Sequence, residues 1–192
     1  MARPALENIE ERIIEATVIV GSRNTANHLS TKEIASIAGV SEGSIYEHFH
    51  TKRNLIVQTG RWSDAPFRAE FIRLKRAYPD NFHLLFNGMV DFLLTHPSIC
   101  GFAVNYSRSF PRFDEDDGSF NRFKSKCVDL LKQLNIATIK DQEHIFEYWN
   151  HFIRELFSFS ELLIDGKITD TPKNRLVMEN LLHDGLFYYL KS

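Results

Sequence analysis

The feature that most constrains this sequence is a pair of short helix-forming segments separated by three residues. The first follows Ser30, keeps its apolar residues on one face for about two turns, and ends at Gly39, a residue suited to a left-handed stop. Ser41 suits the start of a second segment, 42–49, which is short and polar. Two helices of this size joined by Gly39-Val40-Ser41 predict a helix-turn-helix.

The rest of the sequence predicts longer helices. Its 9 Gly and 6 Pro are about 8% of 192 residues, below the usual share of about 12%, so few turns are expected. Apolar residues recur at the helical period in the segments 6–20, 64–77, 81–95, 98–109, 119–134, 141–164 and 173–190. We therefore predict an all-α fold, with a three-helix head carrying the helix-turn-helix at residues 1–55. A larger helical bundle domain is predicted at residues 56–192, and a continuous helix is expected to cross this boundary.

Composition narrows the classes of function and location. Two cysteines, Cys100 and Cys127, are too few for a disulfide framework or a cysteine-rich zinc site. No apolar run reaches about 18 residues, and the N-terminus lacks the apolar core of a signal peptide, so we expect a cytoplasmic protein with no membrane partner. Residues 1–61 hold seven basic and seven acidic residues. If a head of this charge binds nucleic acid, its affinity is expected to depend only weakly on salt concentration.

The charges after the second short segment indicate an anionic partner. Lys52 and Arg53 follow Thr51, an N-cap residue, and so lie in the first turn of a helix, where the helix dipole disfavours cations. This placement is favourable if a phosphate docks against the free N–H groups and the two cations. A helix the size of 42–49, with polar side chains on its exposed side, fits the major groove of DNA.

Residues 30–53 resemble the DNA-binding motif of the TetR family of one-component transcriptional regulators. The residues that carry the resemblance are Thr31, Ile34-Ala35, Ala38-Gly39-Val40-Ser41, Gly43, Tyr46, His48-Phe49, Lys52 and Leu55. The match covers about residues 10–56 and departs at Ile19-Val20-Gly21, where the family usually shows an aromatic residue. Beyond residue 56 the likeness is in length, helical character and helix order. The resemblance implies that the head reads DNA while the remaining helices form a dimer and often hold an inducer.

The predicted DNA contacts combine hydroxyl, carboxylate, imidazole and ammonium groups. They are Thr31, Ser41, Glu42, Gly43, Ser44, Tyr46, His48 and Lys52. Most of these residues have a simpler structural explanation, which stays open at this point. Thr31 and Ser41 also suit helix N-caps, and Tyr46 and His48 also suit packing inside the head. Glu42 either accepts from a cytosine amino group or simply favours the helix dipole.

The C-terminal helices predict a dimer and a ligand pocket. Segments 145–164 and 176–190 are apolar on more than one face, so each needs two partners, one of them in a second copy of the chain. The predicted dimer interface contains Leu156, Phe159, Leu163, Leu182, Leu186 and Tyr189. A surplus of Phe, 16 residues, suggests an apolar cavity for a partly apolar inducer of unknown identity. Its predicted wall contains Phe86, Met89, Phe102, Tyr106, Phe123, Trp149 and Phe152.

These features predict a ligand-responsive regulator, a repressor that binds a near-palindromic operator as a homodimer and is released by an inducer. No cofactor, metal or enzymatic activity is expected; Glu147, His151 and Glu155 recur at helical spacing, but as a solvated stripe. One alternative is an interaction protein whose head has lost DNA binding, which the acidic Glu42 and Glu47 would suit. The other is a small helical enzyme, for which the sequence offers no catalytic constellation.

Overall fold

A computed structural model describes residues 8–24, 28–109 and 142–191. Within these ranges the chain forms eight helices and no strand, which confirms the predicted all-α class. The helices are α1 Ile9–Arg23, α2 Thr31–Ala38, α3 Glu42–Phe49, α4 Lys52–Ala77, α5 Phe82–Thr95, α6 Pro97–Ser109, α7 Gln142–Ile164 and α8 Pro172–Lys191. The predicted helix 119–134, with Phe123, lies outside the described residues, and so do the side chains of Trp149, Leu186 and Tyr189.

Most helix boundaries agree with the sequence analysis, and one difference is at the end of α1. The helix continues to Arg23, through part of the segment predicted as a loop. Its last carbonyls have partners that the local sequence does not reveal, because the amide of Asn105 in α6 donates to Gly21 O and Ser22 O, each at 3.1 Å. Capping from a distant helix therefore extends α1 beyond its predicted end.

The chain divides into two compact units. Unit 1 comprises Met1–Phe67 and Ser98–Pro111, and unit 2 comprises Arg68–Pro97 and Arg112–Ser192. The predicted continuous helix is present as α4, which begins in unit 1 and ends in unit 2. This division by packing differs from the predicted functional boundary at residue 55, which stays a prediction.

Unit 1 has one apolar core. Its most deeply buried side chains come from α1, α2, α3 and α4, and α6 adds two more; they include Ile13, Ile34, Ile45, Phe49, Leu55, Ile99 and Phe102. Helices α2 and α3 have only eight residues each, so they are not stable by themselves. The main stabilising free energy of the unit therefore comes from the burial of its large apolar side chains. The core therefore fixes the orientation of both short helices.

Unit 2 has a separate, aromatic core. Phe86, Met89 and Leu156 are fully buried, and the ring centroids of Phe86 and Phe159 are 6.2 Å apart. Arg175, at the start of α8, binds Asp170 through two hydrogen bonds of 2.6 and 2.7 Å and binds Asp91 of α5 at 2.7 Å. This arginine therefore ties the segment before α8 to α5.

Candidate nucleic-acid interface

Both short helices begin at serine N-caps, as predicted. Ser30 Oγ accepts from the N–H of Glu33 at 3.2 Å, and Ser41 Oγ accepts from the N–H of Ser44 at 3.1 Å. The two serine hydroxyls of α3, Ser41 and Ser44, also lie 2.9 Å apart. Each cap satisfies an N–H that has no partner inside its own helix, so the cap sets where the helix starts.

The turn between α2 and α3 depends on a left-handed glycine. Gly39 has φ +64°, and its N–H donates to Ala35 O and Ser36 O, while the N–H of Val40 donates to Ala35 O at 3.0 Å. This is the Schellman arrangement that satisfies the last carbonyls of a helix. Arg12 of α1 donates to Ala38 O and to Gly39 O, so it closes the same helix end from outside.

Helix α3 buries its apolar side and exposes its polar side. Ile45 and Phe49 are buried in the core of unit 1. Tyr46 has 45% of its surface exposed, and its role toward DNA stays a prediction. Glu42 and Glu47 are also exposed. The uncovered side of α3 therefore presents a phenol and two carboxylates.

A hydrogen bond links the first residues of α2 and α3. The hydroxyl of Thr31 donates to a carboxylate oxygen of Glu42. Thr31 follows the N-cap Ser30, so it is not the cap of α2 itself. Two predicted DNA contacts are thus brought together, and in this structure the threonine hydroxyl binds a carboxylate.

His48 is packed against α1. Its Nδ1 lies 3.2 Å from Glu10 Oε1, and its side chain is 32% exposed. This is the packed histidine considered as the alternative to a DNA contact. The interaction ties the C-terminal turn of α3 to the start of α1, and a role of His48 toward DNA stays a prediction.

The start of α4 lies directly after a strained turn. His50 has φ 59° and ψ −45°, and the N–H of Thr51 donates back to Phe49 O at 2.6 Å, which is the geometry of a γ-turn. Thr51 Oγ1 then accepts from the N–H of Asn54 at 3.0 Å, so Thr51 is the predicted N-cap. Lys52 is half-buried and occupies the first position of α4.

The predicted pocket residues belong to two different units. Phe86, Met89 and Phe152 are buried in unit 2, whereas Phe102 and Tyr106 belong to unit 1 and their ring centroids are 5.7 Å apart. In unit 1 these two rings border a cleft of about 10 Å³, enough for about one water molecule. The cleft is also lined by Gly21, Asn24, Leu29, Ile56 and Asn105. Within the described residues this cleft does not accommodate a drug-sized molecule.

The predicted dimer residues are covered by their own chain wherever their side chains are described. Leu156, Phe159, Leu163 and Leu182 are all buried. Among the side chains of α8 that the structure describes, the large apolar ones left exposed are Leu176 at 49%, Val177 at 52% and Leu181 at 65%. These three residues form an exposed apolar face on α8, and the dimer interface stays a prediction.

The described part of the chain contains neither a metal-binding cluster nor a helix able to span a membrane. No group of three or more His, Cys, Asp or Glu in the described part of the chain is arranged to hold a metal ion. Within the stripe considered above, His151 Nδ1 and Glu155 Oε1 are 3.9 Å apart, and the side chain of Glu147 lies outside the description. None of the described helices is long and apolar enough to cross a bilayer.

Helices α2 and α3 are each capped by a serine and are joined by a turn at Gly39. They form a helix-turn-helix of the kind that enters DNA grooves. Residues 13–59 match the family model described as "Bacterial regulatory proteins, tetR family". This match confirms the predicted resemblance to the TetR family over the segment that contains the helix-turn-helix. No curated protein matches the chain.

Solved structures share the fold over nearly the whole chain. A TetR-like transcriptional regulator from Rhodococcus sp. RHA1 is 16% identical with a TM-score of 0.65, covering 96% of this chain and 98% of that one. A regulator of the same family from Shewanella sp. PV-4 is 17% identical with a TM-score of 0.72, covering 92% and 96%. NalD, the secondary repressor of the MexAB-OprM multidrug efflux pump in Pseudomonas aeruginosa, is 19% identical with a TM-score of 0.59, covering 92% and 94%. At these identities the likeness establishes the fold alone.

Proposed function

We propose that this protein is a TetR-family transcriptional regulator that binds a near-palindromic operator as a homodimer, acts as a repressor, and is released by a small-molecule inducer. The DNA-binding part of this proposal rests on one observation, which is that α3 has a buried apolar side and an exposed polar side. Ile45 and Phe49 anchor the helix in the core, while Glu42, Tyr46 and Glu47 remain exposed. An eight-residue helix held by one side and polar on the other is suited to the major groove.

The contacts to the DNA backbone are assigned to groups around the ends of α3. Tyr46 offers an exposed phenolic O–H, and Lys52 offers an ammonium group at the start of α4. Both are donors, and phosphate oxygens are acceptors, so each suits a phosphate. Ser41 and Ser44 stand at the start of α3, where Gly43 lets the helix backbone approach the groove closely. These residues keep their predicted roles as DNA contacts.

The homodimer is assigned to the exposed apolar face of α8. Leu176, Val177 and Leu181 lie within about one and a half turns of that helix. About half or more of the surface of each residue is exposed. Leaving three large aliphatic side chains in water is unfavourable by roughly 25 cal/mol per Å² of apolar surface, which a second copy of the same face would remove. Leu186 and Tyr189, further along α8, remain predicted members of this interface.

Release by an inducer requires two conformations with different head separations. The ligand must bind the conformation that mismatches the operator more tightly, because equal affinity for both leaves the populations unchanged. A repressor role agrees with the description of NalD as a repressor, although that description is of NalD itself. The predicted pocket residues Phe86, Met89 and Phe152 are closely packed in unit 2, so an inducer would have to open space among them.

A binding assay with the DNA that flanks the protein's own gene tests this proposal. We expect a specific complex for the wild type, and about a 10-fold or larger weakening for Tyr46→Phe and for Lys52→Ala, since each change removes one phosphate contact. Lys167→Ala, at an exposed lysine of unit 2 outside α8, is the matched control and should bind normally. Equal binding to flanking DNA and to random competitor at low salt would overturn the proposal. Unchanged affinity of both variants would remove the two assigned contacts.

A further inference from the structure

Glu42 differs from the other predicted DNA contacts because it carries a negative charge. It is the first residue of α3 and is exposed on the side that the proposed function lays into the major groove. An ionised carboxylate is an acceptor only, and phosphate oxygens are acceptors as well, so Glu42 cannot bond to the DNA backbone. In a docked complex its oxygens need a donor on the edge of a base.

The structure holds this carboxylate in place before any DNA arrives. The hydroxyl of Thr31, on α2, donates to Glu42 Oε1. A carboxylate has two oxygens and about four acceptor positions, so one bond to Thr31 leaves the others available. A long side chain that is already oriented loses less conformational freedom on binding. The contact between Thr31 and Glu42 therefore presents the carboxylate as a fixed acceptor at the start of α3.

The chemistry of the groove favours one base. The donors in the major groove are the amino groups of cytosine N4 and adenine N6. Adenine N6 lies between two acceptors, N7 of the same base and O4 of the paired thymine, and both repel a carboxylate. Cytosine N4 has an acceptor, guanine O6, on one side only. A carboxylate therefore meets less repulsion at cytosine than at adenine.

We propose that Glu42 is a specificity-determining residue that accepts a hydrogen bond from a cytosine N4 amino group in each operator half-site. Thr31 is its positioning residue. The inference rests on the proposed function, because it requires α3 to enter the groove. This role also explains the acidic face of α3. A carboxylate near DNA without the matching base weakens non-specific binding, which raises the ratio of specific to non-specific affinity.

Selection of binding sites from a random duplex library tests the role of Glu42. The wild type should enrich a two-fold-related site with cytosine at one fixed position of each half-site, and changing that cytosine to thymine should weaken binding about 10-fold or more. Glu42→Ala should lose the preference at that position alone. Glu42→Gln should shift it toward adenine, which an amide binds at N6 and N7. Glu33→Gln, an equal change of charge on α2, should leave every preference unchanged.

A change in the DNA isolates the amino group itself. Replacing the selected cytosine by pyrimidin-2-one removes the N4 amino group from that base. The wild type should then bind about 10-fold or more weakly, whereas Glu42→Ala should bind both duplexes equally. Equal losses for the wild type and Glu42→Ala would show that the amino group is not read by Glu42, and would overturn the inference.

Thr31 variants separate positioning from phosphate contact. Thr31→Val should weaken the cytosine preference, and Thr31→Ser should restore it, with other positions unaffected. A uniform loss of affinity on every sequence would instead assign Thr31 to a phosphate and overturn its positioning role. A wild type that enriches no sequence would refute the proposed function together with this inference. A wild type that enriches a site whose base preferences survive Glu42→Ala would refute this inference alone.

Discussion

Helices α3 and α8 each leave one face uncovered in the single chain, and the two faces are opposite in chemistry. The face of α3 carries Glu42, Tyr46 and Glu47, whereas that of α8 carries Leu176, Val177 and Leu181. Polar groups are satisfied by water until another partner replaces it, so an uncovered polar face suits reversible binding. Exposure of aliphatic groups to water is unfavourable in free energy, and water cannot compensate for it. The comparison therefore suggests a reversible partner, DNA, for α3 and a lasting partner, a second copy, for α8.

The strongest test of this contrast places a charge in the apolar face of α8. Leu181→Arg should abolish the dimer at micromolar concentration, because a guanidinium would be buried against its own copy across the two-fold axis. Operator affinity should fall by about 100-fold or more, since each head would then bind a half-site alone. Sedimentation equilibrium measures the mass, and fluorescence anisotropy with an operator duplex measures the affinity.

The matched control for Leu181→Arg is an exposed leucine on a different helix. Leu84→Arg, on α5, changes the charge by the same amount away from the apolar face of α8 and should leave the mass unchanged. A wild type that sediments as a monomer, or a Leu181→Arg variant that stays dimeric, would show that the exposed leucines do not form the interface.

The next test concerns Phe102, which the sequence assigns to a ligand pocket and the structure buries in unit 1. A Cβ atom added at Gly21 would come within 2.6 Å of the Phe102 ring, which shows how closely α1 and α6 pack. Phe102→Ala should lower the free energy of unfolding by about 3–5 kcal/mol, as expected when a large core side chain leaves a cavity. Urea denaturation followed by circular dichroism measures this change.

Ile37→Ala is the control for Phe102→Ala. Ile37 belongs to the same unit but is 44% exposed, so its truncation should change stability by only about 0.5 kcal/mol. If both substitutions had similarly small effects, the assignment of Phe102 and α6 to the core of unit 1 would be wrong. Phe102 would then be better explained as part of a pocket wall.

The head was largely predictable because its signals are local. Ser30, Ser41 and Thr51 each cap a helix through an N–H three residues away, and Gly39 adopts the left-handed conformation that its position requires. Such signals lie within a few residues of each other in the sequence. The bounds of α3, 42–49, were therefore predicted correctly.

Contacts between distant segments were not predictable from the sequence. Arg12 and Glu10 are ordinary exposed residues of an amphipathic helix, yet one closes the end of α2 and the other holds His48. Thr31 and Glu42 are eleven residues apart, and nothing in their spacing indicates a bond. For α7 the apolar pattern correctly indicated extensive burial. Because α7 and α8 are both apolar on more than one side, the pattern did not reveal which leucines face their own chain.

A smaller effect is expected at Arg175, which holds unit 2 together without forming part of either exposed face. Its side chain is 15% exposed and bonds to both Asp170 and Asp91, so Arg175→Ala should lower the free energy of unfolding by about 1–2 kcal/mol. Lys167→Ala, which removes an exposed pair with Asp165, is the control and should change stability by less than about 1 kcal/mol. Equal effects would show that the arginine cluster is only a surface contact.

The same arginine predicts a dependence on pH. The hydrogen bond from Arg175 lowers the pKa of Asp170 below its ordinary value, with burial partly opposing this shift. The stabilisation linked to this shift is complete above the pKa of an unfolded Asp, and it is lost as the pH falls through the lower pKa of the folded state. The stability difference between the wild type and Arg175→Ala should therefore be constant near neutral pH and shrink only in acid. A difference that grew in acid would contradict this assignment.

The smallest effect tests whether the cap of α3 is separable from its use on DNA. Ser41→Ala removes the acceptor for the N–H of Ser44 and should lower stability by about 1 kcal/mol. Ser30→Ala removes the equivalent bond at the start of α2 and should lower stability by a similar amount. If Ser41 also binds DNA, only Ser41→Ala should weaken operator affinity, measured where both variants are fully folded. Equal affinities would make Ser41 a cap alone, and the polar face of α3 would then begin its contact with DNA at Glu42.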